Sequence, residues 1–421
     1  MRKLLTLILC VVAMPMLADG KYFGGDISLL PSYVSHGAKY LATDGTPIDA
    51  PLPYFGEQGM NAMRVRLFVN PENAPSDHKG QGVVQDLEYV KALGKQIKDA
   101  GMALMLDFHY SDTWADPVKQ WTPQAWADLN DDQLYDKIYT YTKDVLQQMK
   151  AAGATPDFIQ TGNEISYGML WGRSTDPTSQ LKKVYTNSDA NWPRFTTLLK
   201  QAGKACREVC PDARIILHTE RIANTGALTN FYQQMLSAQV DYDIIGTSYY
   251  SYYHGNLNTL NASLTQLENQ FPDKQIMIVE AGYFYNWQPT ISAPGVDLSS
   301  TYPISEAGQQ AFAKALIQTL QKHSHVTGLF WWWMEANEYG HTGSAQVTKD
   351  WYNASLWNDQ TGKVTPAFYE LSSFLGDEAH VATPSVHESS SAQWFTVDGK
   401  RLSAPGRHGL YIRNQRKIIV K

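Results

Sequence analysis

Between an amino-terminal segment and about residue 380, β-rich apolar runs alternate with amphipathic helices, and that alternation constrains the fold more than any other feature. Strands are expected at Tyr22 to Ile27, Ala62 to Val69, Ala103 to Tyr110, Asp157 to Glu164, Arg214 to Glu220, Asp243 to Tyr250, Gln275 to Tyr283 and Val326 to Met334. Helices fall between them, for example Leu87 to Ala100 stopping at Gly101, Gln133 to Ala152 stopping at Gly153, and Glu306 to His323. Eight strands with helical crossovers make an α/β chain, a (β/α)8 TIM barrel over residues 19–378, and in such barrels chemistry sits at the carboxyl ends of the strands.

Met1 to Ala18 carries Arg2-Lys3, an apolar run from Leu4 to Leu17 and a small residue at Ala18, the parts of a secretory signal peptide. The run is shorter than the roughly 20 residues that span a bilayer, and no later segment stays uncharged long enough to do so. The expected product is exported through this peptide and secreted, periplasmic or held at the cell surface. Lys and Arg number 35 against 41 Asp and Glu, a net charge of −6 with no basic cluster, which argues against a nucleic acid partner. Aromatic residues make up 12%, with 12 Trp and 24 Tyr, and such rings either fill a core or stack on flat ligand faces such as sugars. Cys206 and Cys210 are the two cysteines beyond the signal segment; four apart near a helix end, they could bridge or lie buried and unpaired.

Two strand ends carry glutamates. Phe158-Ile159-Gln160-Thr161-Gly162-Asn163-Glu164 closes the fourth expected strand and Ile276-Met277-Ile278-Val279-Glu280 the seventh. Facing one barrel mouth, such a pair is a glycosidase arrangement, in which one carboxyl holds a proton for the leaving oxygen and the other stays ionised. Arg64 and Arg66 share parity on strand two, so both can point inward; either would help keep Glu280 ionised or form a structural ion pair. Strand three closes with His109, Asp112 and Trp114, suited to sugar hydroxyls and ring faces, though His109 alone could be a satisfied core histidine. The Trp331-Trp332-Trp333 run ending strand eight should place at least one indole beneath the sugar, with another packed outward and some of the run in the core.

The run Leu106-Asp107-Phe108-His109-Tyr110-Ser111-Asp112-Thr113-Trp114-Ala115-Asp116-Pro117, with Thr161-Gly162-Asn163-Glu164-Ile165 and Gly168-Met169-Leu170-Trp171, resembles endo-β-1,4-galactanases of glycoside hydrolase family 53. Asn61 to Leu67 with Asn70-Pro71, Ile245 to Tyr250 with His254-Gly255, and Trp351 to Gly362 extend the likeness over roughly residues 22 to 378. The resemblance implies a retaining, endo-acting enzyme with Glu164 as acid/base and Glu280 as nucleophile. It implies that Asn163 bonds the hydroxyl beside the anomeric carbon and that Arg64, His109, Asp112, Trp114, Tyr250 and Trp351 lie near the substrate, with Tyr249 and Trp333 less strongly indicated. The implied partner is galactan or arabinogalactan, with no organic cofactor and the chain read as a monomer.

Two departures stand out. Many family members carry a calcium loop after the nucleophile strand, but here Tyr283 to Gln288 and the residues onward hold only Asp297 as an acid before Glu306, so no calcium and no other metal is expected. Strand eight continues as Met334-Glu335-Ala336-Asn337-Glu338 where the family places Trp-Glu-Pro. Residues 379–392 read as a polar linker and 393–421 as a short β-rich tail with a turn at Asp398-Gly399, for which surface sorting, docking on the barrel and disorder are alternatives. The rival readings of function are another glycosidase of the same barrel clan, such as a mannanase, cellulase or exo-β-galactosidase, and a sugar-binding barrel without activity.

Overall fold

The computed structural model describes residues 20–185, 190–290, 295–380, 394–396, 401–402, 409–413 and 416–420. The expected signal peptide and nearly all of the expected linker lie outside the described residues. Eight strands, β1 (Tyr22–Asp26), β2 (Ala62–Leu67), β3 (Ala103–Phe108), β4 (Phe158–Gln160), β5 (Arg214–Thr219), β6 (Ile244–Tyr249), β7 (Gln275–Ala281) and β8 (Val326–Trp331), close in sequence order into a parallel barrel. Each falls inside its expected run, and the expected runs extend one to four residues past the observed carboxyl ends, into the segments that leave the barrel at its mouth.

Crossover helices form where the sequence caps them. Leu87–Asp99 starts behind Asp86, whose side chain accepts from the Tyr89 amide, and buries Val90, Leu93 and Ile97. Asp131–Ala151 opens with a capping box between Asn130 and Gln133. Gly101 and Gly153 follow these helices at φ 77°, the left-handed stop that glycine adopts without Cβ strain.

Strand alternation divides the side chains into two populations. Met63, Val65, Leu104, Leu106, Ile159, Leu217 and Ile245 pack outward with the helices, each contributing about 1.5–3 kcal/mol on burial. Ala62, Met105, Phe158, Ile216, Ile244, Met277, Val279 and Phe330 fill the barrel interior. Two residues further along β2 to β6, at the same parity, the layer above is polar: Arg64, Asp107, Gln160, His218 and, beyond Gly246, Ser248. The barrel closes tightly at β1, where a Cβ on Gly24 would sit 1.7 Å from the Ala62 carbonyl oxygen.

β6 and β7 shift register between Thr247 and Ser248, so that Thr247 pairs with Ile278 but Ser248 pairs with Glu280. The extra residue is Val279, which lies in the interior cluster. A bulge of this kind puts two successive residues on one face, and it is why Glu280 joins the polar layer although Val279 already points inward.

Cys206 and Cys210 are both buried and unbridged. Among the described residues no helix is long and apolar enough to cross a membrane. The chain separates into a unit ending at His380 and a second beginning at Val381. In the second unit β9 (Trp394–Thr396), β10 (Arg401–Leu402), β11 (Gly409–Arg413) and β12 (Arg416–Val420) form an antiparallel sheet in the order β10-β9-β11-β12.

Candidate active site

β4 stops at Gln160, and the next four residues turn Glu164 into the mouth. Gly162 has φ 122° and Glu164 φ 46°, the latter uncommon for a residue with a Cβ and the kind of local strain that concentrates at functional sites. Gln120 holds the turn: its Nε2 donates to the Asn163 carbonyl at 2.7 Å and to the Glu164 carbonyl at 3.3 Å. The Glu164 carboxyl is half-buried, and its Oε1 accepts from the Ser248 hydroxyl at 2.7 Å.

Glu280 is buried on the other side of Ser248. Its Oε2 accepts from the Tyr250 hydroxyl at 2.8 Å, and its Oε1 lies 3.0 Å from Arg64 Nη2. Arg64 organises the floor: Nε donates to Gln160 at 2.7 Å, Nη1 to Asp26 at 3.0 Å, and Nη2 to Asp107 and Asn163, both at 2.8 Å. With those protons directed elsewhere, Arg64 acts on Glu280 chiefly as a nearby charge.

Burial raises both glutamates, but unequally. Glu164 is held well above the usual carboxylate range by burial, then by the charge of Glu280 and then of Glu220. Glu280 is pushed up by burial to about 7, with Arg64 and then Tyr250 pulling it back. The Arg64 guanidinium stands beside Glu280 and not beside Glu164, an asymmetry that favours ionisation of Glu280 over that of Glu164. Burial would also raise Asp107, but Arg64 and His109 outweigh it and hold that carboxyl at about 2.

The remaining expected site residues separate by geometry. Asn163 lies beside Glu164 with Oδ1 accepting from Arg64 and Nδ2 donating to the Ala115 carbonyl at 2.8 Å, so only one of its amide protons is left. Tyr250 is fixed from behind, its backbone N–H donating to His254 Nδ1 at 3.1 Å. Trp351 is half-buried at φ 64°, its ring 5.2 Å from Tyr250 and 6.5 Å from Trp332. Trp114 is half-buried between the Arg66 guanidinium at 5.0 Å and Trp333 at 5.9 Å.

Others serve the frame. Arg66 is fully buried, paired with Asp26 at 2.6 Å. His109 is buried, with Nδ1 accepting from the Ala115 amide at 3.0 Å and Nε2 facing Asp107 at 3.1 Å. Asp112 Oδ2 accepts from the Gln124 amide at 2.8 Å and from Asn73 at 3.0 Å, tying loops together. The structure does not bring Tyr249 to the mouth: its hydroxyl donates to the Gly255 carbonyl at 3.0 Å and its ring stacks on Phe312 in the helix layer, because it falls at the outward parity of β6. Trp333 is 1% exposed behind Trp332, which lies over Arg64 at 5.6 Å. Trp333 sits at a left-handed turn, φ 47°, and of the two stacked indoles Trp332 is the one against the Arg64 guanidinium.

Sequence reasoning passed over His218, Ser248, Gln120 and Glu220. His218 and Glu220 obey the rule that found the two glutamates, polar residues closing an apolar strand, whereas Ser248 and Gln120 carry no such signal. Glu220 is buried and raised to about 7 by that burial, its Oε1 accepting from Ser166 at 2.5 Å. After β8, Glu335 accepts from the Leu29 amide at 2.7 Å and Glu338 from Tyr33 at 2.6 Å and the Thr348 amide at 2.9 Å, so both brace the barrel closure. Among the described residues no cluster of three His, Cys, Asp or Glu side chains could hold a metal ion. In the loop after β7, Asp297 accepts instead from the Ser299 amide at 2.8 Å and from Gln288 at 3.2 Å.

Comparison with known proteins gives the same architecture and a family. The model for glycosyl hydrolase family 53 matches residues 22–371. An arabinogalactan endo-β-1,4-galactanase of Cellvibrio japonicus is 31% identical over 379 residues, covering 86% of this chain and 94% of that one. The family 53 catalytic domain of Ignisphaera aggregans superposes with a TM-score of 0.72 at 29% identity over 85% of this chain and 97% of that one. A structure from a study of two fungal β-1,4-galactanases gives 0.67 at 26% identity over 83% and 98%. A barrel with paired glutamates at β4 and β7, matched by the family model over nearly all its length, belongs to glycosyl hydrolase family 53.

Proposed function

We propose that the protein is a retaining endo-β-1,4-galactanase acting on galactan and on the arabinogalactan side chains of pectin. The observation that carries the reading is Ser248, which pairs with Glu280 across the bulge and donates to Glu164, bringing the two carboxyls to one mouth. The galactanases among the relatives favour galactan over mannan or cellulose.

In the first step Glu164 gives its proton to the glycosidic oxygen while a Glu280 carboxylate oxygen bonds the anomeric carbon, and the carbon–oxygen bond to the leaving sugar breaks. In the second, the Glu164 carboxylate takes a proton from water, whose oxygen bonds the anomeric carbon and releases Glu280. The remaining Asn163 amide proton is available to the neighbouring sugar hydroxyl, and Trp332 and Trp351 supply ring faces. A carboxyl separation of about 5 to 5.5 Å accompanies this route, against roughly 6.5 to 9.5 Å for inversion. No organic cofactor and no metal takes part, the protein works as a monomer, and residues 1–18 direct its export.

Azide tests the two roles separately. Glu164→Ala with azide should yield the β-galactosyl azide, because azide replaces water on the covalent intermediate. Glu280→Ala should yield the α-azide by direct displacement, and the opposite pairing would reverse the assignment.

A further inference from the structure

Beyond the two glutamates, a hydrogen-bonded line runs through the barrel: His218 Nε2 is 2.8 Å from Ser248 Oγ, which is 2.7 Å from Glu164 Oε1. His218 and Ser248 are both completely buried on neighbouring strands. The other Glu164 oxygen, Oε2, has no hydrogen-bond partner among the described residues. We propose that His218 and Ser248 are positioning residues that keep the Glu164 acid proton on Oε2, the oxygen free to reach a glycosidic bond.

Donor and acceptor counting along this line fixes where the proton sits, given the glycosidase reading above. Burial and then the neighbouring Arg64 charge hold His218 well below its usual range, so the ring is neutral and carries one N–H. The charged or titratable groups acting on it are Arg64, Asp107, His109 and His254. With the proton on Nε2, His218 donates to Ser248, Ser248 donates to Glu164 Oε1, Nδ1 accepts from the Glu164 backbone N–H at 3.4 Å, and Asn163 Oδ1, 3.1 Å from that nitrogen with no proton between them, is satisfied by Arg64 Nη2 at 2.8 Å. Oε1 is then an acceptor in both states of the carboxyl, so a protonated Glu164 carries its proton on Oε2. With the proton on Nδ1, that nitrogen donates to Asn163 Oδ1 at 3.1 Å, and the line reverses. Ser248 then donates to Nε2, and Oε1 must itself carry the proton to be satisfied. Once Glu164 has given its proton away, the reversed line leaves Ser248 one hydrogen between two acceptors, Oε1 and Nε2. The Nε2–H form alone satisfies the line before and after proton transfer.

The test compares galactan with an aryl β-galactobioside bearing a dinitrophenolate leaving group, which departs without protonation. Ser248→Ala and His218→Leu should lower kcat on galactan by roughly 10²-fold, within the range for general acid catalysis. They should change the burst of dinitrophenolate less than threefold, and the alkaline limb of the galactan pH profile should move to higher pH. His218→Gln, whose Nε2 can stand where the imidazole Nε2 stands, should recover galactan activity to within about fivefold. Equal losses on both substrates with an unmoved pH profile, or a His218→Gln variant no better than His218→Leu, would overturn the relay while wild-type cleavage of galactan upheld the reading beneath it. A wild-type enzyme silent on galactan would remove that reading itself.

Discussion

Arg64 Nη2 stands 3.0 Å from Glu280 Oε1 while Asp26, Asp107, Gln160 and Asn163 receive its hydrogen bonds. One guanidinium thus sets both the shape of the site and the order in which its two carboxyls ionise.

The pH profile follows from that order. kcat/KM should fall as pH drops through the Glu280 value, about 7, because the nucleophile becomes protonated. It should fall again on the alkaline side as Glu164 loses the proton it must donate. A profile flat from pH 5 to 9 would contradict the division of roles.

Stability should move the other way around Glu280. A carboxyl raised above its unfolded value binds its proton more tightly in the native state, so its ionisation weakens the fold as pH rises from about 4.5 to about 7. Glu280→Gln should therefore stabilise the fold at pH 8 by up to the order of 3 kcal/mol for a shift of this size, read as a higher Tm, and give no advantage at pH 4. Equal Tm shifts at both pH values would show that the effect is not one of charge.

Arg64→Leu should destabilise by about 3–5 kcal/mol, since it leaves Asp26 and Asp107 buried without their common partner. Lys79→Ala, which breaks an ion pair with Glu72 whose side chains are 40% and 88% exposed, should change stability by less than about 1 kcal/mol. Thermal unfolding of the two variants makes the comparison.

Chelation should leave activity and Tm unchanged. The turn after β7 is held by Gln309, whose Nε2 donates to the Tyr283 and Ser355 carbonyls, both at 2.9 Å, and by Tyr285, whose hydroxyl donates to Asp359 at 2.9 Å. A lower Tm in EDTA, restored by calcium, would contradict this.

The barrel was legible because strand and helix periodicities differ and because glycines stop the helices where the pattern predicts. Glu164 and Glu280 were legible because an acid closing an apolar strand is conspicuous. Parity carried Arg64 and Arg66 inward but could not say that one would meet Glu280 and the other only Asp26. The bulge at Val279 and the left-handed turns at Glu164 and Trp333 leave no mark in residue type, so the sequence could not say which indole of the Trp331 to Trp333 run faces Arg64. Ser248 was invisible for a related reason: a lone serine gains meaning only when the barrel sets it between two glutamates.

The most direct test of the account is sugar release by the purified protein from linear β-1,4-galactan, with mannan, cellulose and an aryl β-galactoside alongside and the anomer of the earliest product read by NMR. Short galactan oligomers appearing first as the β-anomer, with little action on the other three, is the predicted result. Cleavage of mannan or cellulose instead of galactan, or α-anomers at the earliest times, would contradict it.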